Sequence, residues 1–91
     1  MNMLSLLRNK MYLITFHSQF DSNVFRRKMQ AYGKVIQKPV PRVLSSACGT
    51  CCVLEPSDPD FSFENVEDIN YDKIYSINDS PSVYELLSEK G

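Results

Sequence analysis

Cysteines spread along the chain, long apolar runs and glycine-rich loops are all missing from these 91 residues. The three cysteines fall within five residues, at Cys48, Cys51 and Cys52, so they cannot form the spaced disulfide framework of a small secreted domain. No apolar run approaches the roughly 18 residues that a membrane span needs. A secretory signal is not expected, because Ser5 interrupts the leucines of residues 1–10 and no small-residue cleavage site follows. These absences predict a cytoplasmic protein without a membrane partner.

Most arrangements that support catalysis are absent as well. The sequence has no glycine-rich phosphate loop and no paired carboxylates placed for acid–base chemistry. A zinc site is disfavoured, because the vicinal Cys51 and Cys52 rarely reach one tetrahedral metal together and a second cysteine pair is missing. We therefore expect no metal and no bound cofactor, and we place any covalent chemistry on the cysteine segment.

Charge is nearly balanced overall but divided along the chain. Residues 1–42 carry eight of the ten Lys and Arg residues and only Asp21 as an acid, whereas residues 43–91 carry ten acids. The simplest interpretation is that the two halves pack together and neutralise one another. A nucleic-acid surface is not favoured, because stacking aromatics are not interleaved with the basic residues. The remaining alternative is that the basic half attracts an acidic protein partner to the cysteine segment.

The length suits one domain with a two-layer core. We expect residues 1–10 to be an N-terminal extension whose order is left open, and residues 11–91 to form the domain. Ser18 and Asp21 have the spacing of a helix capping box. The following helix is predicted to bury the apolar positions that recur at helical spacing, with Gly33 as its stop; these positions are Phe20, Val24, Phe25, Met29 and Tyr32.

Strands are predicted at residues 11–16, 35–38, 51–55 and 73–77. A weak helix is predicted at residues 61–68, and Pro81 is predicted to open a short last helix that includes Val83, Tyr84 and Leu87. This order predicts an α+β fold, namely a ferredoxin-like split β-α-β-β-α-β sandwich with a short C-terminal helix.

That topology has a chemical consequence. The loop after the first strand and the hairpin between the second and third strands leave such a sheet at the same end. His17, the N-terminus of the first helix, Arg42 and the cysteines are therefore expected to converge there, with His17 and Cys48 within about 10 Å of each other on strands spaced about 4.8 Å apart.

Two segments together resemble a known family. They are Tyr12-Leu13-Ile14-Thr15-Phe16-His17-Ser18 and Pro39-Val40-Pro41-Arg42-Val43-Leu44-Ser45-Ser46-Ala47-Cys48-Gly49. With the helix between them, they are similar to the selenium or sulfur carrier-like family of small bacterial domains. The resemblance covers roughly residues 11–77, and its specific part is Pro-Arg followed by Ser-x-Cys-Gly. It implies sulfur or selenium as cargo, and donor and acceptor proteins as partners.

The thiols have different expected roles. Cys48 is the candidate reactive group, because it follows two serines and precedes Gly49, whose missing side chain would expose the sulfur; a buried structural thiol is the alternative. Cys51 has the C-x-x-C spacing of a redox pair with Cys48, but it runs into a strand where such a pair should open a helix. Cys52 is expected in the core, because strand neighbours point to opposite faces.

Two further residues complete the predicted site. Arg42 would hold a sulfur anion or a phosphate-like oxyanion, unless it forms a salt bridge to the acidic half. His17 would move a proton near neutral pH, unless it is a structural hydrogen-bonding group.

Three hypotheses follow for the function. In the first, Cys48 carries sulfur or selenium as a persulfide or selenopersulfide, and Cys51 can release it. In the second, Cys48 and Cys51 form a thiol-redox module. In the third, the chain is a non-catalytic adaptor. A carrier is favoured over a stand-alone enzyme, and the oligomeric state is left open.

Overall fold

A computed structural model describes residues 10–66, 68–78 and 83–90. This part of the chain contains five strands, one α-helix and one 3₁₀ turn. In chain order they are β1 (Met11–Thr15), α1 (Gln19–Met29), β2 (Gly33–Pro39), β3 (Thr50–Pro56), the turn (Phe63–Asn65), β4 (Lys73–Asn78) and β5 (Val83–Glu89). Of the predicted extension, only Lys10 lies within the described residues.

The five strands form one sheet in the order β2-β3-β1-β4-β5, and every neighbouring pair is antiparallel. Because β3 lies between β1 and β2 and runs against both, β1 and β2 run the same way. The loops that follow β1 and β2 therefore leave the sheet at the same end. The order also interleaves the basic and acidic halves of the chain, since β3 and β4, from the acidic half, flank β1 from the basic half.

The fold is thus α+β, but a ferredoxin-like split arrangement is not confirmed. The second helix predicted at residues 61–68 is wrong: the described part of that segment contains only the three-residue turn. Its rings are positioned by core contacts, because Phe63 packs edge-to-face on Tyr12 with ring centroids 5.1 Å apart and on Phe61 at 4.9 Å.

The predicted C-terminal helix is also wrong, because Val83, Tyr84 and Leu87 belong to strand β5. Pairing with β5 gives hydrogen-bond partners to the outer backbone groups of β4, and this gain outweighs the weak helical pattern of so short a segment. Pro81, which was expected to open that helix, lies outside the described residues.

Helix α1 begins as predicted, and of the predicted core positions it buries Phe25 and Met29. Ser18 caps it, since the Asp21 amide donates to Ser18 Oγ at 3.2 Å. The buried positions are Ser22, Phe25 and Met29, whereas Phe20, predicted to be in the core, is 71% exposed. The buried stripe runs through Ser22, Phe25 and Met29, and Phe20 lies outside it.

Gly33 does not stop the helix, which ends at Met29. Gly33 instead begins β2 opposite Pro56. A Cβ atom there would collide with the Glu55 carbonyl oxygen and lie 2.7 Å from Pro56 Cα. Glycine is required at this position because two backbones approach closely.

Apolar side chains are buried on both faces of the sheet. On the helix side, Phe16, Phe25, Leu54 and their neighbours form the larger cluster. On the opposite side, Leu13 and Val53 form the centre of a smaller one. Within the described ranges, no helix is long and apolar enough to cross a membrane.

Candidate functional site at the cysteine loop

The loop after β1 and the loop between β2 and β3 meet at one end of the sheet, as predicted. Thr15 pairs with Cys51 in the register of β1 and β3, so His17 and Cys48 both lie beyond the same ends of these strands. Ser46 Oγ donates to the Phe16 carbonyl at 3.1 Å and joins the two loops directly. The base of the second loop is closed by the Val40 amide, which donates to the Gly49 carbonyl at 3.0 Å.

All three cysteines are buried, and Cys48 is the one whose residue keeps some exposed surface. It retains 8% of its surface, whereas Cys51 and Cys52 have none. Gly49, beside it, is exposed, and a Cβ atom built there meets no atom within 4 Å. The backbone next to Cys48 therefore borders open space, while Cys48 itself belongs to the apolar cluster on the helix side of the sheet.

Cys51 lies on the face of the sheet away from the helix, packed with Leu13 and Val53. Its thiol donates to the Pro39 carbonyl, with the sulfur 3.7 Å from the oxygen. Burial raises the pKa of the Cys51 thiol to about 11, although the nearby Lys38 acts to lower it. Cys51 is therefore a protonated thiol at neutral pH.

Cys52 faces the helix and shares its apolar cluster with Cys48. Its sulfur lies 3.6 Å from Ser22 Oγ and 3.7 Å from the Ser22 carbonyl, to which it donates. Burial raises the pKa of Cys52, while the Ser22 contact and the positive charge of Arg26 act in the opposite direction. The structure thus separates the neighbours Cys51 and Cys52 to opposite faces and leaves Cys52 on the side of Cys48.

Arg42 lies exposed in the loop that leads to Cys48. Within the part of the chain that the structure describes, it forms no ion pair with a carboxylate. The salt bridge weighed as its alternative role is therefore not seen there, and the guanidinium is open to an anion from solution.

His17 lies at the same end, but its ring contacts residues next to strands β4 and β5. Its Nε2 is 3.7 Å from Asp72 Oδ1 and 3.5 Å from the Lys90 carbonyl. Asp72 also accepts a hydrogen bond from Lys73 Nζ at 3.2 Å, which raises the pKa of Lys73. The polar contacts of His17 therefore belong to a cluster around Asp72 and do not include Cys48.

A second polar network, around Cys52, was missed by the sequence reasoning. Gln37 Nε2 donates to Ser22 Oγ and to Asn23 Oδ1, both at 2.9 Å, and so links β2 to α1. Arg26, on the same helix, has a buried Nε without a hydrogen-bond partner. The available signal was Ser22, a polar residue three and seven positions before the core residues Phe25 and Met29.

Among the described residues, no group of three His, Cys, Asp or Glu side chains is placed to hold a metal ion. The three cysteines are thiols without a disulfide. The chemistry present at this end of the sheet is therefore that of three buried thiols, of which Cys48 belongs to the least buried residue, and an exposed arginine.

Comparison with known proteins adds no assignment: no protein-family model, curated protein or solved structure matches the chain. The resemblance to the carrier-like family therefore stays a prediction. The roles of the site residues rest on the geometry described above.

Proposed function

We propose that this chain is a sulfur or selenium carrier whose cargo is held on Cys48 as a persulfide or selenopersulfide. The observation that carries the proposal is the contrast between the thiols. Cys48 is buried but keeps 8% of its residue surface beside open backbone at Gly49, while Cys51 and Cys52 keep none and have raised pKa values. A small opening of the loop would therefore expose Cys48 before the other two thiols, and this difference favours Cys48 as the single site of cargo.

Loading is a thiol exchange. The Cys48 thiolate attacks the terminal sulfur of a donor protein's persulfide, a new S–S bond forms, and the S–S bond of the donor breaks. The donor sulfur leaves as a thiolate and takes up the proton that Cys48 has lost. With a donor selenopersulfide, Cys48 attacks selenium and the same balance holds. An acceptor thiolate unloads the carrier by the reverse sequence.

Cys52 provides a second route of release. It attacks the inner sulfur of the Cys48 persulfide, forms a Cys48–Cys52 disulfide and expels hydrosulfide, so that two thiols are oxidised and the carried sulfur is reduced. A thiol reductant must then restore both cysteines. This assignment replaces Cys51 with Cys52 because Cys52 shares the apolar cluster of Cys48, whereas Cys51 lies across the sheet.

Arg42 and the exposed loop support the cargo as an anion. A persulfide is more acidic than a thiol, so an exposed guanidinium on the same loop favours its charged form. The proposal places the protein in the cytoplasm, where thiols stay reduced between cycles. It also retains a ferredoxin-like relationship for the β1-α1-β2 unit with β3 inserted between its strands.

The test is mass spectrometry of protein isolated without reductant, after incubation with a persulfide donor. We expect the peptide containing Cys48 to gain the mass of one sulfur, and the Cys48→Ser variant to gain none. Cys51→Ser is the matched control and should load normally. A loss of two hydrogens that maps to a Cys48–Cys51 disulfide, without added sulfur, would instead support the redox module. An unmodified chain after exposure to sulfur and selenium donors would favour the adaptor.

A further inference from the structure

A cleft separate from the cysteine loop lies on the helix side of the sheet, between the irregular segment after β3 and strands β1, β4 and β5. Its volume is about 450 Å³, which is in the range of small-molecule sites. Four aromatic rings line it: Tyr12, Phe61, Phe63 and Tyr71. None of Cys48, Arg42 and His17 contributes to its walls.

The rings are set at steep angles to one another. Phe63 is inclined at 82° to Tyr12 and at 81° to Phe61, and the third pair, Tyr12 and Phe61, is inclined at 55°. Phe63 is in edge-to-face contact with both neighbours, so the three rings hold one another in place as one wall of the cleft.

Among the described residues that line the cleft, the one charged side chain is that of Glu64. Asp58 and Asp60 lie exposed in the same segment. Aromatic faces and a carboxylate together favour a weakly hydrated cation, which loses little hydration free energy when it binds.

The structure contains an example of this preference at the same wall. Lys90 Nζ lies 5.4 Å from the centroid of the Tyr71 ring while it donates to the Ile69 carbonyl at 3.0 Å. Tyr71 is held for this contact by its hydroxyl, which lies 2.8 Å from Ser88 Oγ. An ammonium group is thus already placed against one of the four rings.

We propose that this cleft binds a small organic cation with a trimethylammonium group. The rounded, weakly hydrated headgroup lies against Phe61, Phe63 and Tyr12, and Glu64 provides the opposite charge. The hydroxyls of Ser62 and Ser88, which also line the cleft, suit a ligand with an alcohol at its other end. A ligand that carries a carboxylate there is disfavoured by Glu64.

The experiment is a titration of the full chain, followed by the NMR shifts of the aromatic side chains, with three matched probes. They are choline, its neutral tert-butyl analogue, and betaine. We expect choline to bind about three- to tenfold more tightly than either of the others, from the usual strength of one or two cation–π contacts. Equal affinity for choline and the neutral analogue, or no shift of the cleft rings with choline, overturns the proposal.

Variants localise the effect. Glu64→Gln and Phe63→Leu should each weaken choline binding about threefold or more. The matched controls are Glu85→Gln, an exposed acid on β5, and Phe20→Leu, an exposed aromatic on α1; neither lines the cleft. Since Glu64 is exposed, its variant should keep the wild-type melting temperature. Binding that is unchanged in Glu64→Gln, or reduced equally by the controls, places the cation elsewhere and refutes the site.

Discussion

The reactivity of the three thiols toward a small alkylating reagent tests the site most directly. We expect Cys48 to react first in the native protein, because it alone has exposed surface. Cys51 and Cys52 should react only after local or global opening of the sheet, since both have no exposed surface and belong to β3, an interior strand.

The expected rate difference can be worked out for Cys51. Burial raises the pKa of Cys51 from 9.0 to about 11, and each pKa unit lowers the thiolate fraction at neutral pH about tenfold. Protonation alone therefore slows Cys51 about a hundredfold relative to a thiol of ordinary pKa. The lack of access to its sulfur slows the reaction further.

The assay is a pulse of iodoacetamide at neutral pH, followed by an acid quench and peptide mass spectrometry. Labelling in denaturant provides the rate of each thiol without the fold. The Cys48→Ser variant should lose the fast phase, whereas Cys51→Ser should keep it.

The reasoning is refuted if Cys51 or Cys52 is labelled at the rate of Cys48 in the native protein. It is also refuted if the native labelling rate of each thiol, divided by its own rate in denaturant, is no higher for Cys48 than for Cys51 and Cys52. Either result would mean that the loop does not present Cys48, and the carrier proposal would lose its supporting observation.

Three further predictions concern the loop, the sheet and the buried thiol. Arg42→Ala should slow alkylation of Cys48 at neutral pH about two- to fivefold without changing the melting temperature, and Arg42→Lys should restore only part of the rate. An unchanged rate in Arg42→Ala would mean that the arginine does not influence the reactivity of Cys48. Gly33→Ala should lower the free energy of unfolding by about 2 kcal/mol, because its Cβ meets the backbone of β3. The control Gly49→Ala should change the free energy of unfolding by less than about 0.5 kcal/mol. Similar denaturant midpoints for the two variants would contradict the close approach of the two backbones at Gly33. Because the folded-state pKa of Cys51 is raised, its contribution to stability is present below pH 9 and is lost as the pH rises toward 11. Between pH 9 and pH 11 the free energy of unfolding should therefore fall by about 2 kcal/mol more in the wild-type protein than in Cys51→Ala. Urea unfolding at each pH measures this difference. Parallel losses in both proteins would show that the Cys51 thiol is not desolvated.

Local patterns in the sequence were enough for the elements whose cause is local. The Ser18 cap depends on residues three positions apart, and the core strands have short β-branched or apolar runs, so both were predicted close to their observed bounds. The meeting of the β1 and β2–β3 loops also followed from the sequence, because it requires only that β1 and β2 run the same way.

The C-terminal element depended on a distant partner. Val83–Glu89 has apolar residues whose spacing suits a short helix about as well as a strand, and its β form exists because β4 offers an open edge to pair with. The segment at residues 61–68 was misjudged for a similar reason, since Phe61 and Phe63 are positioned by rings from other parts of the chain.

The site shows the same division. The sequence alone determined that all sulfur chemistry lies within five residues behind an arginine, and that Cys51 and Cys52 must face opposite ways. Only the tertiary structure decided which of them accompanies Cys48, because that depends on which face of β3 the helix covers. It also decided that His17 contacts Asp72 instead of the cysteines. The physical reason is that side-chain alternation is a local property of a strand, whereas the face that becomes the core is settled by packing between elements far apart in the chain.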